Sequence, residues 1–274
     1  MSEIVVVGGG LGGLTAAVAL AGKGHEVTLL EKEPLVGGYA VDVHRKGRVY
    51  DLALHVVPCG GAGQEFERML SELGVAEDVS FIRLKEGFRV CFGSDSLQLP
   101  NDYEGLFATL ELEFPDEADN LRRFRRDLEE HTDAYAPLFD YGVSKWTSVP
   151  PFIMRAPKFL KHAGQPARQY LEQFFTDPRL MAILFQPAVF MGMPMDEFPT
   201  VNFMMMFRLL MQGGMYTIAG GGQSLTRALE SRLRALGGTI VTRAKATRIL
   251  VKRNAAIGVE TADGKTYPVV GHSQ

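Results

Sequence analysis

Residues 4–13 read IVVVGGGLGG, and this stretch decides the fold. The β-branched run Ile4–Val7 is typical of a buried parallel strand, and it ends directly in glycines. Apolar residues then recur at helical spacing from Leu11 to Ala21, and Glu26–Leu30 supplies a second strand that ends at Glu31. This order of strand, glycine turn, helix and strand predicts a βαβ unit.

The glycine turn has the pattern G-x-G-x-x-G at Gly8, Gly10 and Gly13. Gly8 permits the tight turn, Gly10 lets the backbone approach a pyrophosphate, and Gly13 lets helix and strand pack closely. Leu11 and Gly12 complete the turn at the start of the helix, where unpaired N–H groups can bind phosphate. A glycine-rich structural turn without a ligand is the alternative interpretation.

An acid and a second glycine pair follow the βαβ unit. Glu31 lies near the separation from the glycines at which a carboxylate binds ribose hydroxyls, and its charge disfavours the 2′-phosphate of NADP. The later pair Gly37-Gly38 is explained by a second backbone segment that closes on the same pyrophosphate. We therefore predict that FAD, rather than NAD, binds at this turn.

The rest of the chain divides by its hydrophobic periodicity. From Gln64 to about Leu236 it is mainly helical and interrupted by prolines, although Phe81–Leu99 alternates like strands. Within it, Val201–Ala219 is interpreted as a core helix because Arg208 and paired glycines break its apolar run. After Gly237-Gly238 the pattern returns to strands.

These patterns predict an α/β fold with two domains. A Rossmann-like FAD-binding domain, with a parallel sheet and a β-meander, is expected to occupy residues 1–80 and 215–274. A largely helical substrate domain at residues 81–214 is expected as an insertion into it.

The motifs resemble the FAD-dependent oxidoreductases of the phytoene desaturase, carotenoid isomerase and retinol saturase group, within the amine oxidase-like flavoproteins. Glu31–Gly38 is similar to the group's acid and following glycine pair, and Gly47–His55 to its glycine, aromatic, Asp and His segment. Met191–Pro194 and Tyr216–Leu225 resemble its substrate-side signature, with Ile218 in place of an expected proline. The resemblance covers nearly the whole chain.

The resemblance also implies a set of cofactor-binding residues. The strand near Ala246 is similar to the one whose backbone contacts the adenine. The complete predicted set is Gly8, Gly10, Leu11, Gly12, Gly13, Glu31, Lys32, Gly37, Gly38 and Ala246.

The activity implied by the resemblance is an FAD-dependent oxidation or reduction of an apolar polyene, of carotenoid or retinoid kind, by hydride transfer to or from the flavin. Desaturation, saturation and isomerisation all fit. Because the flavin supplies the chemistry, no side-chain nucleophile is required and the catalytic residues stay unassigned. Met204–Met206, Met211 and Met215, with Phe203 and Phe207, would suit a hydrocarbon, and core packing is the alternative.

Two other functions stay open. An amine oxidase-like flavoenzyme would share the front motifs but would bind a cationic substrate. The other is a truncated, non-catalytic flavin-binding remnant, because the family pattern continues beyond Tyr267 with strands that return to the flavin. On that reading, the incomplete sheet would impair catalysis and favour association with another chain.

The composition excludes several further classes of function. A formal net charge of −3 gives no general attraction to nucleic acid. Cys59 and Cys91 lie far apart and predict free thiols in a reducing compartment. The six histidines and two cysteines show no ligand spacing, so the sequence predicts no metal site.

The predicted location is the cytoplasm, with peripheral contact on the inner face of a membrane as a further expectation. The amino terminus lacks the basic start and long apolar stretch of a secretory signal. The apolar segment Val149–Met154 precedes the cations Arg155, Lys158, Lys161 and Arg168, a composition that can insert shallowly. An ordinary helix on the domain surface is the alternative.

Overall fold

The computed structural model describes residues 1–141, 162 and 164–269. These form two compact units, which we call the first and second units. The first unit comprises Met1–Val57, Glu67–Ile82 and Thr217–Gln274, and the second comprises Pro58–Phe66 and Arg83–Tyr216. The predicted α/β class is confirmed.

The helices and strands are numbered here in chain order. The strands are β1 (Glu3–Val7), β2 (Glu26–Leu30), β3 (Asp42–Arg45), β4 (Arg48–Asp51), β5 (Val57–Pro58), β6 (Phe81–Arg83), β7 (Glu86–Phe92), β8 (Asp95–Pro100), β9 (Met215–Ile218), β10 (Thr239–Val241), β11 (Ala246–Lys252), β12 (Ala255–Thr261) and β13 (Thr266–Pro268). The helices are α1 (Leu11–Gly22), α2 (Glu65–Leu73), α3 (Tyr103–Glu113), α4 (Ala118–Tyr141), α5 (Ala167–Leu171), α6 (Pro178–Phe185), α7 (Thr200–Phe207) and α8 (Gly222–Ala235).

A parallel sheet of order β1-β2-β10 forms the centre of the first unit. Helix α1 connects β1 to β2 and buries Leu14, Ala17 and Val18, so its apolar face lies in the core as the periodicity predicts. Helix α8 packs against α1 and buries Leu225 and Leu229. The predicted βαβ unit is therefore present, and β10 extends its sheet.

An antiparallel meander of order β11-β12-β13 completes the first unit. It joins the parallel sheet through a small apolar cluster in which Leu30, Ala244 and Val259 are buried. Val5 and Ala246 pack against this cluster. The meander therefore shares a core with the parallel sheet, which fixes the start of β11 near the end of β2.

Aromatic rings form the core of the second unit. Phe124, on α4, contacts Phe107, Phe175, Phe203 and Phe207, with ring centroids between 5.4 and 6.5 Å apart. All five side chains are buried. Burial of one such side chain stabilises a fold by roughly 1.5–3 kcal/mol, so this cluster accounts for much of the unit's cohesion.

The methionine-rich segment belongs to this core. Met204, Met211 and Met215 are each at most 1% exposed. Met205 and Met206 are half-buried. For the three buried methionines the structure therefore favours the alternative, core packing, over the predicted hydrocarbon-binding surface.

The prediction that Val201–Ala219 is one core helix is wrong in its second half. Helix α7 ends at Phe207, a π-helical turn spans Arg208–Gln212, and Gly214, with φ +77°, turns the chain into β9. The amide of buried Asn101 then binds both backbone groups of Met215, at 2.8 and 2.9 Å. These two long-range hydrogen bonds take the place of the next helical turn. No local sequence pattern encodes them.

None of the helices among the described residues is long and apolar enough to cross a membrane. The predicted membrane-contact segment Val149–Met154, with Arg155, Lys158 and Lys161, lies outside the described residues. Arg168 is described, and its guanidinium pairs with the carboxylate of Asp196.

Candidate functional site

The first glycine turn joins β1 to α1 with backbone atoms in very close approach. The Gly8 N–H donates to the Leu30 carbonyl at 2.7 Å, which ties the turn to β2. A Cβ on Gly13 would lie only 1.9 Å from the Gly8 carbonyl oxygen. A side chain is therefore sterically excluded at Gly13, which is the packing role that the sequence assigns to it.

The start of α1 is open to an anion. Its N-cap residue is Gly10, which has no side chain to cap the helix, and the first turn contains no acidic residue. A Cβ on Gly12 would meet nothing within 4 Å, so the backbone there is accessible to a ligand. The N-terminal N–H groups and the positive end of the helix dipole both favour a phosphate at this position.

The second glycine pair lies directly on the first turn. Gly37 donates its N–H to the Gly9 carbonyl at 2.7 Å and forms a parallel bridge with Gly10. A Cβ on Gly38 would lie 3.1 Å from the Cα of Gly10. The structure thus brings the two glycine segments together, and only small residues permit this approach.

The carboxylate of Glu31 is buried beneath this double turn, with 7% exposure. Its Oε2 accepts the Gly9 N–H at 2.6 Å, and its Oε1 accepts the Glu33 N–H at 2.8 Å. Each carboxylate oxygen has a second lone-pair direction, so both can also accept a hydroxyl proton. Glu31 therefore connects β2 to the glycine turn and can receive the ribose hydroxyls of a dinucleotide.

Two other predicted residues differ in their surroundings. Lys32 is exposed and makes a 3.7 Å ion pair with Glu33, so its ammonium group lies towards solvent. Ala246 begins β11 and packs against the cluster of Leu30, Ala244 and Val259. The segment at Ala246 is thus held near the end of β2, whereas nothing in the contacts of Lys32 directs it towards the turn.

A third glycine segment, Gly220–Gly222, contacts residues around the second pair. A Cβ on Gly222 would lie 3.1 Å from the Ala40 carbonyl oxygen. Asp51 Oδ1 accepts the Gly222 N–H at 3.1 Å and so caps α8. The sequence placed Asp51 in a family motif without giving it a role. Ile218 stands where a proline is expected from the family resemblance. Its backbone carbonyl accepts the Gly221 N–H at 3.0 Å, so the turn forms.

These residues fit an FAD. Two glycine segments form a cradle in which backbone atoms approach more closely than side chains at Gly13 or Gly38 would allow, the start of α1 beside them is uncapped, and Glu31 supplies hydroxyl acceptors. An adenine dinucleotide needs these elements: a phosphate site with exposed backbone N–H groups and an acid for the ribose.

Known proteins match almost the whole chain. A family model described as flavin containing amine oxidoreductase matches residues 11–271. The phytoene desaturase (lycopene-forming) of Paracoccus sp. is 27% identical over 265 residues, covering 95% of this chain and 52% of that protein. Prolycopene isomerase 1, chloroplastic, of an Oncidium hybrid cultivar is 24% identical over 279 residues, covering 97% and 46%. The chain thus spans about half the length of the curated relatives it matches.

The fold matches a solved structure as well. An oxidoreductase from Methanosarcina mazei superposes with a TM-score of 0.68 at 19% identity, covering 97% of this chain and 57% of that one. The predicted relationship to the phytoene desaturases and carotenoid isomerases is confirmed at low identity, and so is the predicted flavin cofactor. On the family match and the geometry of the glycine cradle, this chain belongs to the flavin-containing amine oxidoreductases.

Proposed function

We propose that this chain acts as an FAD-dependent oxidoreductase on an apolar polyene of carotenoid or retinoid kind. The reaction class is hydride transfer between a polyene carbon and the bound flavin. Desaturation, saturation and isomerisation remain the three forms that this reaction can take. The names of the curated relatives, which are desaturases and isomerases of carotenoids, support the substrate class.

The observation that carries the proposal is an apolar turn in the second unit. The segment that resembles the substrate-side signature, Met191–Pro194, follows Val189 and Phe190, and its side chains are exposed. Phe190 is 62% exposed and Met191 53%, and Phe190 packs on Phe88 with ring centroids 5.9 Å apart. A hydrocarbon that covered this surface would gain roughly 25 cal/mol for each Å² removed from water. A cationic amine would gain much less there.

The chain's own residues bind and orient the cofactor. The N–H groups at the start of α1 would hold the pyrophosphate, and Glu31 would receive the ribose hydroxyls on the oxygens that already accept the N–H groups of Gly9 and Glu33. Asp51 caps α8 and thereby fixes the Gly220–Gly222 turn against Ala40. FAD, when bound, supplies the two-electron chemistry.

A polyene absorption assay tests the substrate class. The chain is loaded with oxidised FAD, or with FAD reduced beforehand by dithionite, and is mixed anaerobically with phytoene, ζ-carotene or a cis-lycopene in liposomes, because the absorption spectrum reports the number of conjugated double bonds. We expect a red shift with oxidised FAD for desaturation, a blue shift with reduced FAD for saturation, and a change at constant conjugation for isomerisation. Peroxide formation from simple amines, without any change in a polyene, would instead favour the amine oxidase alternative.

A pair of matched variants tests the apolar turn. Phe190→Ser removes an exposed ring from the turn, and Leu112→Ser removes an apolar side chain that is 84% exposed on α3 of the same unit. We expect the first variant to weaken polyene turnover and the second to leave it unchanged. Equal turnover by both variants and the unaltered chain would contradict the assignment of the turn to the substrate.

A further inference from the structure

Three side chains in the second unit converge on one point that the cofactor site does not use. Asp127 and His131 lie one turn apart on α4, and His162 joins them from a later part of the chain. One candidate ligand atom from each lies within 4.8 Å of the other two. The two imidazole centroids are 5.1 Å apart, and both histidines are buried, at 2% and 4% exposure.

The hydrogen bonds around the two rings determine which nitrogen can coordinate a metal. His131 Nδ1 lies 2.6 Å from the backbone carbonyl oxygen of Asp127, which can only accept, so Nδ1 carries the proton. His162 Nδ1 lies 2.7 Å from the side-chain oxygen of Gln165, which assigns its proton in the same way. In the neutral ring, Nε2 then holds the lone pair. Metal-binding histidines are oriented in this way, with the second nitrogen donating to an oxygen.

The carboxylate of Asp127 is oriented by a second group. The Tyr170 hydroxyl donates to Asp127 Oδ2 at 2.7 Å, and His131 Nδ1 lies 3.3 Å from the same oxygen. Two groups thus orient this carboxylate beside the two imidazoles.

We propose that Asp127, His131 and His162 bind a divalent transition metal ion, with Zn²⁺ as the best match. Two imidazole nitrogens and one carboxylate are a ligand set for Zn²⁺ or Fe²⁺, whereas Ca²⁺ and Mg²⁺ prefer oxygen ligands. The partial exposure of Asp127, 31% for its side chain, leaves room for a water as a further ligand. All three residues belong to the second unit, where the ion would join α4 to His162.

This proposal departs from the expectation that the chain has no metal site. The spacing of Asp127 and His131 at i, i+4 puts them on one face of a helix, a signal that the sequence interpretation missed. His162 is distant along the chain, and only the fold brings it to them. The competing explanation is a hydrogen-bonded network without a metal.

Metal binding is tested directly on the untagged full chain after removal of metals with EDTA. Co²⁺ is titrated first, because its visible absorption reports coordination by nitrogen and oxygen, and Zn²⁺ is then used to displace it. We expect saturation at a single ion per chain, and a melting temperature that rises with the Zn²⁺ concentration. Absence of Co²⁺ and Zn²⁺ binding by the folded chain would overturn the proposal in favour of the hydrogen-bonded network.

Variants show whether any binding occurs at this site. His162→Gln should abolish it, and Tyr170→Phe, which keeps the ring and removes the bond to Asp127, should weaken it by roughly 10–100-fold. His44→Gln is the control, because His44 is an exposed residue of the first unit. If His162→Gln fails to fold, Tyr170→Phe still decides the question. Unchanged affinity in Tyr170→Phe, or equal loss in His44→Gln, would contradict a site at these residues.

Discussion

A single methyl group at Gly13 provides the sharpest test of the glycine turn. In Gly13→Ala the new Cβ would lie 1.9 Å from the Gly8 carbonyl oxygen, whereas such contacts are essentially never shorter than 3.0 Å. The backbone of β1 or α1 must therefore move by about 1.1 Å. A shift on the β1 side would also displace the Gly8 N–H, which is bound to the Leu30 carbonyl at 2.7 Å.

The expected cost follows from these two effects. Overpacking of a close contact costs about 1–3 kcal/mol, and a weakened backbone hydrogen bond adds about 0.5–1.5 kcal/mol. A total near 3 kcal/mol corresponds to a melting temperature that is lower by about 6–12 °C, at roughly 2–4 °C for each kcal/mol. Thermal unfolding followed by circular dichroism, without added FAD, measures the change.

Two other glycines of the same helix serve as controls. A Cβ at Gly12 or at Gly22 would meet nothing within 4 Å, so alanine at either position should leave the melting temperature unchanged or slightly raised, because alanine favours helix. Gly12→Ala should nevertheless weaken FAD binding, since Gly12 lies where the phosphate approaches. If Gly13→Ala melted with the unaltered chain, the close approach of β1 and α1 would be refuted.

Three further predictions concern other parts of the molecule. Glu31→Gln should weaken FAD binding by about 10–100-fold, because hydrogen bonds to a charged group contribute about 1.5–3 kcal/mol. Flavin fluorescence measures the affinity, and an unchanged affinity would exclude Glu31 from the site. Burial, together with the nearby carboxylate of Glu65, raises the pKa of Cys59 to about 12, so at pH 8 roughly one thiol in ten thousand is the reactive thiolate. A thiol reagent should therefore label only exposed Cys91 in the folded chain, a result that rapid labelling of Cys59 in a Cys91→Ser variant would contradict. Asp51→Ala should lower the free energy of unfolding by about 0.5–2 kcal/mol, because α8 loses its cap. Asp95→Ala, at an exposed hairpin end, is the control. An equal loss of stability in both variants would show that the cap is not the cause.

The sequence by itself determined the βαβ unit and its cofactor. Both depend on residues that are close along the chain: the strand Ile4–Val7, the glycines that follow it and Glu31 at the end of the next strand. Local sterics dictate this arrangement, because only glycine allows the contact between Gly13 and the Gly8 carbonyl. The same local rules predicted strand β2 with the bounds that the structure shows.

Only the tertiary structure decided the features that depend on distant residues. The side-chain amide of Asn101 binds both backbone groups of Met215, and the predicted core helix ends early. The methionines near Met215 are buried in the core. Asp51 meets Gly222, and His162 meets the Asp127 turn of α4, across separations that no periodic pattern reports. Periodicity encodes which face of an element is apolar. The partner of a buried polar group is instead chosen by the fold, because most such groups form a hydrogen bond wherever the packed chain provides one.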